Sequence, residues 1–402
     1  MCKQCAAGVK VFRPPNWSVS QLKQAIPAEL FVKSTPKALV YLLRDLVQCA
    51  ALFYVAHAFE TSDARAIRAV HANESVAALC LRTMFWATYW WLQGLTLTGL
   101  WVIAHECGHH AFSASIPLCD AIGFVLHTAL GTPYYNWKYT HRHHHRYNSH
   151  MEKDEHWIPD VRDGTKSEQE HHGASLSWTE VMEDTPVYQL LKLVIQQAFG
   201  FHAYLLFNIS GQPSYKGWVN HYDPYSVLFQ PNQRVAVLLS DIGLATTLCT
   251  LCTLGARLGV GPLFRVYGVP WFAMSHWIMM IVFLQHTDPA LPHYRGPKWT
   301  YARGALATMD RDFLGWQGRY FLHNVSHCHV VHHFFPELPH YNLPAATEYA
   351  KELLGSDYRA CETPVFKSLW LNQLHCQYVD SEGDVLFYKD RKGRSVNEKI
   401  EH

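Results

Sequence analysis

Three clusters of histidine hold the sequence's chemistry. The first reads His105-Glu106-Cys107-Gly108-His109-His110, the second His141-Arg142-His143-His144-His145, and the third His329-Val330-Val331-His332-His333. Spacings of three and four set imidazoles on one helical face, a turn apart, so each helix presents two or three nitrogens to one metal. Eight histidines in this arrangement exceed the four ligands of a tetrahedral zinc and suit two ions. Imidazole serves zinc, copper, iron and nickel alike, so ligand type alone does not name the metal. The setting points to iron. A ligand set without thiolate, at the mouth of apolar helices, suits oxygen chemistry on an apolar chain.

Not every histidine belongs to this set. Isolated His57, His71, His127, His276 and His402 read as surface or satisfied core residues. His143 and His150 sit in a polar stretch and read as solvated or as lying behind the ligands. A single H-x-x-H-H would be moderate support for a metal site. Two copies plus an H-x-x-x-H-H, each beside an apolar segment, make coincidence a poor explanation.

The elements that must position these groups follow from composition. The chain has 402 residues, with 34 Lys+Arg against 33 Asp+Glu and a net charge of +1, so it carries no electrostatic footprint for nucleic acid. Hydrophobic residues make up 49% and aromatic residues 14%; charged residues reach only 17%, against about 25% in ordinary soluble domains. This excludes disorder. Mean hydropathy is nevertheless only −0.10, so the apolar residues must form blocks between polar stretches. With 27 histidines, the composition is that of a membrane protein with a large, His-rich polar portion.

A membrane-spanning helix needs roughly 20 mostly apolar residues. Four runs qualify: Leu39 to Phe59, Thr83 to Ala104, Val235 to Leu254, and Tyr267 to Gln285. Pro117 to Leu130 is too short, and Tyr188 to Phe207 holds Lys192, Gln196, Gln197 and His202. Both read as helices lying in the interface or dipping into it. Parity supports this choice, because the His clusters meet at one site only if the chain crosses an even number of times between them. The shared face carries most of the basic residues, among them Lys138, Arg142, Arg146, Arg295, Arg311 and Arg319, and is expected to be cytosolic. The expected fold is all-α: an integral membrane bundle of about four spans plus interfacial helices, under a cytosolic helical cap that holds a di-metal site. Residues 1–38 would form a cytosolic N-terminal segment, 39–354 the membrane domain, and 355–402 a cytosolic tail. Residues Met1 to Trp17 lack an apolar core and do not read as a cleaved signal peptide.

The eleven cysteines show no ladder of spacings and no disulfide framework. Cys249 and Cys252 lie inside an apolar run and read as small core residues. Cys2 and Cys5 read as exposed or acylated.

The sequence resembles the membrane fatty-acyl desaturases, and within them the delta-12 (oleate) branch of fungi and plants. The likeness runs from Pro27 to about Leu354. It rests on His105 to Ser113, on Trp137 to His145 followed by Glu152-Lys153-Asp154-Glu155, on Leu284 to Tyr294, on Gly304 to Asp312, and on His329 to Tyr341. The resemblance implies two non-haem iron ions held by His105, His109 or His110, His141, His144, His145, His329, His332 and His333, with His286 after the fourth span as a further ligand. Some relatives carry Asn where Val282 stands. It also implies O2 as cosubstrate, a fatty-acyl lipid substrate, and an endoplasmic reticulum membrane location with the His clusters and both termini cytosolic. Cytochrome b5 and its NADH-dependent reductase are the implied electron donors, and the sequence itself holds no flavin, nicotinamide or haem motif. Three departures bear on product: His143 and Val331 replace an Arg and an Ala common in the family, and Arg146 stands where a small polar residue is usual. Related acetylenases, conjugases and hydroxylases differ at such neighbours of the ligands.

Metal-bound histidines donate their second ring nitrogen to carboxylates or carbonyls. Glu106, Asp154, Glu155, Asp310 and Asp312 are the candidates. A His-rich zinc transporter is the competing class. Transporters place ionisable residues inside spans, whereas here the clusters lie beyond span ends.

Overall fold

In lipid every backbone N–H and C=O must be satisfied within its own segment, so the long apolar runs fold as helices. The structure, a computed structural model, describes residues 11–69, 76–162, 185–395 and 399–400. Its principal helices are α1 (Val19–Ala25), α2 (Thr35–Ala69), α3 (Val76–Gly108), α4 (Ile116–Ala129), α5 (Tyr134–Tyr147), α6 (Pro186–Phe207), α7 (Arg234–Leu258), α8 (Val269–His286), α9 (His329–Phe334), α10 (Leu343–Leu354) and α11 (Val365–His375). Strands among the described residues are confined to two-stranded pairs of two or three residues each. The fold is helical, as expected. Cys2, Cys5, His71, Asn73 and His402 lie outside the described residues.

Four helical stretches have the length and hydropathy to cross a membrane: Thr35–Ser62, Pro186–Phe207, Pro231–Leu258 and Val260–His286. This set differs from the expected one in one member. It takes in α6 and omits α3, where Trp86, Tyr89, Trp90, Trp91, Gln93 and four threonines dilute the hydropathy. Packing restores α3 to the bundle. It runs beside α8, with Tyr89 and Trp90 donating to Val266 O and Arg265 O at 2.7 and 2.8 Å. Arg265 also pairs with Glu60 on α2 at 2.7 Å. One end of α2, α3 and α8 thus meets around Arg265, and α3 and α8 both finish at site histidines. Gly94 permits this contact, since a methyl there would overlap Ala273.

Both ends of α6, by contrast, reach the polar cap. Near its start Gln189 accepts from Gln373 of α11 at 3.1 Å, and neighbouring Asn372 donates to Thr287 O. Beyond its end, which Asn208 closes in a left-handed turn, Ser210 and Gln212 bond His156 O and Asp154 O. Contacts at both ends therefore tie α6 to the cap. α4 is 14 residues long and returns towards the cap through α5, with Trp101 donating to Thr132 in the turn between them. The C-terminal residues fold back onto the cap, pairing 360–361 with 310–311, 379–380 with 161–162, and 385–387 with 292–294. All nine cysteines among the described residues are free.

Candidate metal centre

The site forms where four helix ends converge. α3 delivers His105, α5 delivers His141, His144 and His145, α8 ends on His286, and α9 carries His329, His332 and His333. All eight are buried, as is His109 just beyond α3. Donor nitrogens of His105, His109, His141, His145 and His332 lie within 4.8 Å of one another. Those of His144, His286 and His333 form a second such group. His329 Nε2 joins the second group, 3.2 Å from His286 Nε2 and 3.1 Å from His333 Nε2.

The spacing of the sequence explains the division. Residues four apart on a helix share a face, and the residue three along points slightly to the side. His105 and His109 face the first position, and so do His141 and His145, while His144 turns to the second. In α9 the pattern is inverted: His329 and His333 face the second position and His332 the first. The two H-x-x-H-H segments are therefore complementary, each giving a pair to one position and a single imidazole to the other.

The geometry fits metal ions. Nε2 atoms approach at 3.2 Å between His105 and His109, 2.9 Å between His105 and His141, and 3.1 Å between His141 and His145. Two nitrogens each about 2.1 Å from one ion, at right angles, stand about 3.0 Å apart. Among the described residues both nitrogens of buried His332 lack a hydrogen-bond partner, although its ring lies 4.9 Å from those of His105 and His109. Burial, reinforced by the neighbouring imidazoles, pushes His109, His141, His145, His332 and His333 well below the ordinary imidazole value. They are held neutral, which is the ligating form.

The chain matches the fatty acid desaturase family over residues 84–364. It is 37% identical to a delta(12)-oleate desaturase of Trichosanthes kirilowii over 94% of this chain and 96% of that protein. It is 38% identical to a delta(12)-acyl-lipid-desaturase of Punica granatum over 92% and 88%, and 37% identical to an oleate hydroxylase of Claviceps purpurea over 94% and 82%. The chain belongs to the fatty acid desaturase family. It is an oxidoreductase of fatty-acyl lipids in membranes, with a histidine cluster able to hold metal.

Within this desaturase three imidazoles have a fixed second nitrogen. His105 Nδ1 lies 3.0 Å from Glu106 Oε1, His144 Nδ1 2.9 Å from Asp154 Oδ1, and His329 Nδ1 3.2 Å from Val325 O. Each contact sets the tautomer that turns Nε2 to the centre. Asp154 is itself held by the backbone N–H groups of Ser149 and His156. The other three carboxylates do different work. Glu155 lies 3.4 Å from His143 and accepts from Tyr215. Asp312 pairs with Arg319 and His327. Asp310 accepts instead from Val330 N–H at 2.8 Å and from Tyr358. Burial raises Asp310 to about 7.

The structure brings His109, and not His110, to the centre. The backbone turns left-handed at His110 (φ 61°), ending α3, and its Nε2 meets Lys138 Nζ at 3.0 Å instead. His143 faces outward, and His127 packs beneath Trp101. One neighbour was missed: His156 is buried 4.9 Å, ring to ring, from His144 and 4.7 Å from Tyr204. No spacing rule links it to the clusters, although it follows Asp154 by two residues.

Beside His156 a cavity of about 400 Å³ opens between α6 and α8. Ile195, Phe199, Ile278, Met279, Val282 and Phe283 line it with apolar surface, and His156, Tyr204, Thr287, Lys192 and Gln196 are among its polar lining residues. Val282 thus lines the cavity one turn before His286.

Proposed function

We propose that this desaturase introduces a cis double bond at the delta-12 position of an oleoyl chain, giving a linoleoyl chain. The observation that carries the reading is the complementary division of nine buried imidazoles between two positions, in a chain whose full-length relatives act on oleate. His105, His109, His141, His145 and His332 hold one metal, and His144, His286, His329 and His333 the other. Two non-haem irons, with O2 as cosubstrate, would supply the oxidant that an unactivated methylene requires.

The protein's own part is to bind and orient. The apolar cavity takes the chain and fixes which carbons face the centre. Glu106, Asp154 and Val325 O hold the imidazole rings in register. Electrons come from cytochrome b5 and its NADH-dependent reductase on the cytosolic face of the endoplasmic reticulum. Residues 39–354 form the catalytic frame, and residues 1–38 and 355–402 are cytosolic.

Hydroxylation is the second reading, favoured by the Claviceps relative at equal identity. Against it, none of the three departures near the ligands lines the cavity: Val331 packs into the core with Leu338 and Ala346, while His143 and Arg146 lie on the outer face of α5. Expression in a host rich in oleate, with gas chromatography of its fatty esters, tests the assignment. A new linoleate peak is expected, and a hydroxy ester without linoleate would transfer the chain to the second reading.

A further inference from the structure

Three of the four imidazoles at the second position differ in what holds them. His144 is oriented by Asp154 and His329 by Val325 O, but among the described residues neither His286 Nδ1 nor His333 Nδ1 has a hydrogen-bond partner, and of these two only His286 ends its helix. The place of His286 therefore depends on where α8 ends. Arg311, 2% exposed, grips that end on both sides of His286. Its Nε donates to Leu284 O at 2.7 Å and its Nη2 to Asp288 Oδ2 at 2.7 Å. Its backbone N–H donates to Ser326 O at 2.8 Å, a carbonyl that also accepts from Gln285 Nε2 at 3.0 Å. Ser326 lies three residues before His329. Strand pairing of 310–311 with 360–361 braces Arg311 from the C-terminal segment.

We propose that Arg311 is a positioning residue for the second metal position, holding His286 opposite His329. The inference rests on the two-ion reading above. The first position draws on none of the residues that Arg311 touches, so the two positions respond differently to its loss. Stability alone does not call for this group, since a buried ion pair is often no better than a well-packed apolar replacement. A lysine carries a compact charge on a flexible stem and lacks the planar fork that reaches two acceptors at once.

The test uses the purified full chain in detergent, stripped of metal and titrated anaerobically with Co²⁺, with bound metal counted by mass spectrometry. The wild type should take up two ions per chain. Arg311→Lys and Arg311→Met should keep the first ion with unchanged affinity and bind the second about 10- to 100-fold more weakly. His286→Ala should remove the same ion, and adding Arg311→Lys to it should change nothing further. Retention of that ion at wild-type affinity in both Arg311 variants would overturn the proposal. Loss of both ions together would overturn it too, because it would show a general structural role. A wild type that binds fewer than two ions would instead refute the two-ion reading.

Discussion

At the scale of single residues, function depends on which nitrogen faces which position. His332 has neither nitrogen partnered among the described residues, and it is the one member of the third cluster that faces the first group. His332→Ala should abolish product while the protein still accumulates in membranes, as immunoblotting and fatty-ester chromatography would show; substantial activity would sink the ligand assignment. The left-handed turn at His110 gives a paired expectation. His109→Ala should be inactive and His110→Gln active, since only the former loses a nitrogen at the centre. His143 meets Glu155 outside both groups, so His143→Arg should keep its metal and its activity. The clusters were legible in the sequence because spacing determines helical face. The choice between His109 and His110 was not, because it follows from a backbone turn that no spacing encodes. His156 was hidden for a similar reason: it approaches the site through the tertiary fold alone.

At the scale of elements, packing of α6 on α8 shapes the space for an acyl chain. Gly200 sits on the cavity wall, where an added Cβ would meet Met279 Sδ at 2.8 Å. Gly200→Leu should push Met279 into the cavity and shift preference from long towards shorter acyl chains, whereas Met279→Ala should do the reverse. Overpacking of this kind costs about 1–3 kcal/mol, so the protein should still fold. Product ratios from a mixed fatty-acid feed would read the effect, and identical ratios in both variants would remove the cavity from the substrate's path. Hydropathy alone weighs two elements differently from packing here. It credits α6 with a crossing because Lys192, Gln196 and Gln197 are outnumbered, and it discounts α3 because aromatic side chains score as nearly polar. The hydrogen bonds that tie both ends of α6 to the cap do not register in a running average.

At the scale of the whole molecule, the account requires the three clusters to share one side of the membrane. Asn208 and Asn324 lie in glycosylation sequons on that side, close to His156 and His329. Neither should carry glycan; a glycosidase-sensitive mass shift lost in Asn324→Gln would break the topology. The reaction itself offers the most direct test. Microsomes containing the wild-type chain or His332→Ala are supplied with an oleoyl lipid, NADH and heavy-isotope dioxygen, and the fatty esters are analysed by mass spectrometry. The account predicts a product that has lost a pair of hydrogens at the delta-12 position and holds no heavy oxygen, formed by the wild type alone. A product carrying heavy oxygen, or the same product from His332→Ala, would contradict it.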